Sequence, residues 1–126
     1  IGLQVLFEHS EEEEAQCLGW LPGNVERFPE QMVRVPQIGW NKVTFVNEHP
    51  VLSGLNKTEF FYFVNSYYVV PENEEVILAK TQYGLEFCSM IACRNIIATQ
   101  FHLEKSGTIG LRLLKNFAFR AGGSLC

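Results

Sequence analysis

Between residues 59 and 101 four strand-like runs follow one another with only short breaks, and this spacing limits the fold more than any other feature. The runs are 59–65, 76–81, 87–93 and 96–101. The breaks are 71–75, 83–85 and 94–95. Runs this close predict hairpins or an antiparallel meander. The segment Ile96-Ile97-Ala98-Thr99 is short and apolar, the pattern of a strand covered on both faces. Upstream, residues 25–28 and 42–46 are further strand candidates, and residues 50–55 fit one helical turn. A closing helix is expected over residues 106–120, with Ile109, Leu113, Leu114 and Phe117 as its apolar stripe. Lys115 and Arg120 sit where the helix dipole favours cations, and Gly122-Gly123 stops the helix. At the other end, Leu3, Leu6 and Phe7 share a face at helical spacing, so residues 1–8 read as the body of a helix that begins before residue 1. The expected class is α/β, a mixed sheet with antiparallel strands and flanking helices.

The chain has 126 residues, one domain's worth, and 47% of them are hydrophobic, enough to bury a core. A net charge of −4 speaks against nucleic acid as a partner, because that function leaves a basic footprint. No apolar run approaches the ~20 residues of a membrane span, and no secretory leader is recognisable in residues 1–8. Glu11 to Glu14 read as a solvated loop. The cysteines are Cys17, Cys88, Cys93 and Cys126, and their spacing fits neither a zinc site nor a dense disulfide framework. Cys88 and Cys93 lie in an apolar run and read as small buried hydrophobes, which suggests a reducing cytoplasm.

His102 is the first candidate for chemistry. It follows a strand and precedes a helix, and ligand crevices of α/β sheets open at such strand ends. Glu104 is two residues on, so in extended backbone both side chains project to one side. A carboxylate there can hold the imidazole in one tautomer and stabilise its protonated form. On spacing alone, such a pair is more often an ordinary surface pair.

The wider string is more specific. Gln100-Phe101-His102-Leu103-Glu104-Lys105-Ser106 resembles the Gln-Phe-His-Pro-Glu-Lys-Ser signature of class I glutamine amidotransferases and departs from it only at Leu103. Residues 1–8 resemble the stretch that follows the nucleophilic cysteine of that family. Leu18-Gly19-Trp20-Leu21-Pro22-Gly23 and Val35-Pro36-Gln37-Ile38-Gly39-Trp40-Asn41 narrow the resemblance to one branch, the glutaminase subunits of imidazole glycerol phosphate synthase. Phe61-Tyr62-Phe63-Val64-Asn65-Ser66-Tyr67-Tyr68 and residues 105–117 resemble the same branch. Trp20, Trp40 and Tyr67-Tyr68 disfavour the glutaminases that feed anthranilate or carbamoyl phosphate. Gln37 and Asn65 each stand where the branch has His.

The resemblance implies a cysteine thiolate that attacks the side-chain amide of glutamine, with His102 as general base and then general acid, oriented by Glu104. It implies an oxyanion donor at the Ile1 amide beside Gly2, and glutamine contacts from Gln4, Ser66 and Tyr67. It further implies a (β/α)8 cyclase partner that consumes the ammonia, met by Trp40, Asn41 and Lys105, in histidine biosynthesis. No cofactor and no metal are implied. Read without the resemblance, Trp40 and Tyr62 are more simply core aromatics. The position matching the nucleophile falls immediately before Ile1, and no other cysteine replaces it by motif. The expectation is therefore a single partial domain over residues 1–126, the back portion of the family domain, inactive alone. The alternative is a truncated homologue that folds and self-associates through exposed strand edges without turnover.

Overall fold

The computed structural model describes residues 7–10, 21–93 and 96–119. Among these residues, eight strands share one sheet: β1 (Phe7–Ser10), β2 (Leu21–Arg27), β3 (Gln37–Phe45), β4 (Thr58–Asn65), β5 (Tyr67–Pro71), β6 (Ile77–Tyr83), β7 (Leu85–Cys93) and β8 (Ile96–Thr99). One helix, α1 (Gly107–Phe119), closes the described chain. The order is β1-β2-β5-β7-β6-β3-β4, with β8 pairing β7. Every pairing is antiparallel except β1 with β2, which makes the sheet mixed.

β3 and β4 form a long hairpin, Gln37 opposite Asn65 through Thr44 opposite Thr58. Its side chains alternate. Val43, Phe45, Phe61 and Phe63 are buried on one face, while Ile38, Trp40, Phe60 and Val64 are exposed on the other. β6 and β7 turn tightly at Gly84, whose φ of 76° suits a residue without Cβ. β7 is covered on both faces: Phe87, Met90 and Ala92 join the main core, and Cys88, Ile91 and Cys93 join a second cluster with Val25 and Val69.

One flank of β7 pairs with β5 at Cys88 and then with β8 from Met90 onward. The chain leaving β8 meets β4 through a bridge between His102 and Tyr62. The sheet therefore curls until its two sides meet, around Phe61, Phe63 and Phe101, with Phe61 and Phe101 stacked at 4.1 Å. Among the described residues, His102 sits at that closure.

Several sequence expectations hold and several change. The hairpins, the 59–65, 76–81 and 87–93 strands, the turn near residue 50 and the closing helix are present. The helix expected over residues 1–8 does not extend to Phe7, where strand β1 begins; residues 1–6 lie outside the described residues. So do Glu11 to Glu14, Arg120 and Gly122-Gly123. β8 is half-exposed along its length rather than covered on both faces. On α1, Leu113 is buried, but Leu114 and Phe117 are 47% and 37% exposed. Strand β5 was not anticipated.

Candidate active site

The site is built on the loop that follows β8. His102 caps a single 3-10 turn, Leu103–Lys105, with extended backbone. Its N–H donates to the Tyr62 carbonyl at 2.9 Å. The Ser106 hydroxyl donates to the His102 carbonyl, and Ser106 Oγ in turn accepts the Tyr62 N–H at 3.0 Å. One buried hydroxyl thus holds the His102 loop to β4. Downstream, α1 approaches so closely that a Cβ at Gly110 would lie 2.1 Å from the Leu103 carbonyl oxygen. Only glycine leaves that space, so Gly110 sets the distance between helix and loop.

Leu103 occupies the first position of the 3-10 turn, where a proline fits without loss of a hydrogen bond. The leucine lacks the ring's rigidity, and its side chain packs against the main core instead.

His102 Nδ1 lies 3.0 Å from Glu104 Oε1. Glu104's own backbone N–H and then the His102 ring hold its carboxyl below the usual range. A carboxylate on Nδ1 fixes the proton there and leaves Nε2 as the basic nitrogen, the arrangement a histidine needs to take a proton from a thiol. Both side chains are open to solvent, so the pair is poised at a surface rather than locked in the core.

Tyr62 links this pair to an exposed aromatic face. Its ring meets Trp40 edge-on at 5.9 Å, and the Lys105 ammonium lies 6.0 Å from its centroid. Trp40 is 56% exposed and so is not a core residue. Asn41 points to the opposite face of the hairpin. Its amide donates to Gln37 Oε1 at 2.7 Å and to the Gln82 carbonyl at 2.9 Å. Gln37 and Asn65, both buried, are bonded to each other at 2.9 Å. Ser66 and Tyr67 follow at the β4–β5 joint, about 13 Å along the strand from Tyr62 at ~3.3 Å per residue. There the Ser66 carbonyl accepts the Phe28 N–H.

Of the anticipated residues, His102, Glu104, Lys105 and Trp40 are thus brought together around Tyr62. Ser66 and Tyr67 lie further along β4, and Asn41 faces inward. Ile1, Gly2, Gln4, Cys17 and Cys126 fall outside the described residues. Sequence reasoning missed the roles of Ser106 and Gly110. The spacing Ser106-x-x-x-Gly110 before an apolar helix was the available signal.

Neither described cysteine can act as a nucleophile. Burial pushes the Cys88 thiol up to about 12, so it stays protonated near neutrality. Cys93 is buried in the second cluster, as its apolar run suggested, and is disulfide-bonded, which was not anticipated, so it offers no free thiol.

Comparison with known proteins is consistent with this geometry. The family profile for glutamine amidotransferase class-I matches residues 1–121. The chain is 46% identical over 118 residues to imidazole glycerol phosphate synthase subunit HisH of Dehalococcoides mccartyi, covering 93% of this chain and 57% of that protein. Against the subunit HisH of Methanocaldococcus jannaschii it is 47% identical over 118 residues, covering 93% and 59%. The chain thus spans little more than half the length of these relatives. A crystal structure of a Thermoplasma acidophilum protein assigned as a GMP synthase subunit superposes with a TM-score of 0.58 at 19% identity, over 75% of this chain and 46% of that one. That likeness concerns the fold.

Proposed function

The chain belongs to the class I glutamine amidotransferase family, and on that premise we propose that it is the glutaminase portion of an imidazole glycerol phosphate synthase. In this reading residues 1–126 form one partial domain that supplies the general base and its orienting carboxylate. His102 takes the proton of a cysteine thiol as the sulfur attacks the amide carbon of glutamine, then returns it to the departing ammonia. Glu104 stabilises the imidazolium between the two transfers. By the family pattern, the thiol comes from the position preceding Ile1, the Ile1 amide stabilises the oxyanion, and Gly2, Gln4, Ser66 and Tyr67 line the substrate site.

The observation that carries the reading is the 3.0 Å contact between His102 and Glu104 on a loop tied to β4 by Ser106. The exposed stripe of Ile38, Trp40, Phe60 and Val64 beside it supports a protein partner on this face, with Lys105 at its rim. We take that partner to be the ammonia-consuming (β/α)8 cyclase subunit, in the cytoplasm. Among the described residues no helix is long and apolar enough to cross a membrane.

The test is glutamine hydrolysis by the protein carrying this chain, with the synthase's other subunit present. His102→Asn should lower the rate by roughly two to four orders of magnitude. Hydrolysis at the native rate in His102→Asn would overturn the assignment. A second reading, self-association without turnover, is favoured by one observation. β8 pairs only with β7 among the described residues, and exposed Leu114 and Phe117 line an apolar groove between α1 and β8. Absence of hydrolysis together with a stable assembly of several copies would select it.

A further inference from the structure

The hydrogen bonds behind the Trp40 face form a directional chain. Asn41 Nδ2 donates to Gln37 Oε1 at 2.7 Å, Gln37 Nε2 to Asn65 Oδ1 at 2.9 Å, and Asn65 Nδ2 to the Tyr67 carbonyl at 3.0 Å. Asn41 Oδ1 accepts the Lys42 N–H at 2.7 Å. The amide orientations are those the network requires, because turning Gln37 or Asn65 over would set donor against donor or acceptor against acceptor. Gln37 and Asn65 are 3% and 5% exposed, so no bulk water substitutes for a lost link.

The ends of this chain matter. Asn41 follows Trp40, the exposed aromatic of the partner face, and it also holds β3 to β6 through the Gln82 carbonyl. Tyr67 begins β5 and belongs to the segment read as the substrate wall. Gln37 and Asn65 face each other in the β3–β4 register, so both departures from the family's histidines fall at one contact. A neutral imidazole has one donor and one acceptor and can carry the same directional chain. An amide pair does so without a group that titrates near neutrality.

We propose that Asn41, Gln37 and Asn65 are positioning residues that fix the Ser66–Tyr67 backbone to the Trp40 face, so that a partner seated on Trp40 tightens the substrate wall. The proposal rests on the partner reading above and adds the link by which the partner acts. It assigns a role to the buried amides of Gln37 and Asn65.

Hydrogen exchange tests it on the chain itself, with the other subunit of the D. mccartyi synthase as probe. Binding should slow exchange at residues 66–68 by roughly two- to thirtyfold, the range carried by network side chains. In Asn65→Leu the complex should still form, and the slowing should disappear. Asn65→His, which restores an N–H donor, should recover it. Asn41→Ala cuts the far end at a half-buried position and should lose the slowing too, which keeps the test open if Asn65→Leu does not fold. Unchanged slowing in either cut variant, or a native complex without any slowing, overturns the relay. No complex with the native chain overturns the partner reading and the relay with it.

Discussion

His49 is 8% exposed, and its Nδ1 accepts the Val51 N–H at 3.0 Å, capping the 3-10 turn Pro50–Leu52. Its Nε2–H has no partner among the described residues. Burial holds the imidazole below its ordinary value, because a charged ring there loses its hydration. Protonation would also remove the acceptor that caps the turn. The folded-state pKa is the lower one, so the stability from neutral His49 is fully present above the unfolded value of about 6.5 and is lost as the pH falls through the folded value. The urea midpoint of the native chain should therefore drop between about pH 7 and pH 5. His49→Asn keeps an oxygen cap without titrating, and its midpoint should fall less over the same interval. Parallel curves for the two proteins would show that His49 contributes nothing to the slope.

At the scale of elements, α1 meets the His102 loop through Gly110. A methyl group there must displace the Leu103 carbonyl at 2.1 Å and the Ser106 Cβ at 2.9 Å. Gly110→Ala should thus cost about 1–3 kcal/mol despite alanine's better helix propensity, measured as a lower urea midpoint. A midpoint equal to or above the native one would mean that helix and loop separate freely. Elements of this kind were legible to different degrees. The aromatic run of β4, the β6–β7 hairpin at Gly84 and the stripe of α1 carry local signals, and their bounds fall close to expectation. β5 was missed because Ser66 alone separates it from β4, with no Gly or Pro to mark the joint. β8 was misread because an apolar tetrapeptide looks the same at an edge as in the middle of a sheet; its neighbours decide. His102 and Glu104 were visible as a pair, but Ser106, Tyr62 and Gly110 act through contacts between residues 40 to 44 apart or through close approach, which no spacing displays.

The whole molecule presents two faces that its own described residues leave open. One is the Trp40 stripe, with Tyr62, Lys105 and His102 at its border. The other is the groove of about 160 Å³ between α1 and β8, lined by Val51, Met90, Ile97, Leu103, Leu114 and Phe117. Beside it β8 offers an unpaired edge among the described residues, and open edges pair with other strands. The two faces make different demands on the same chain. If the groove draws copies together, light scattering should give a mass above one chain that rises with concentration. Leu114→Glu, at a position already 47% exposed, should return it to one chain without loss of the fold. If the Trp40 stripe is the stickier surface, Trp40→Ala rather than Leu114→Glu should do so. A native chain that stays monomeric at high concentration removes the self-association reading and leaves the Trp40 face to a different protein. The same experiment therefore bears on both readings of function: the proposed glutaminase reading reserves the first face for a different protein, whereas the self-association reading brings copies of this chain together.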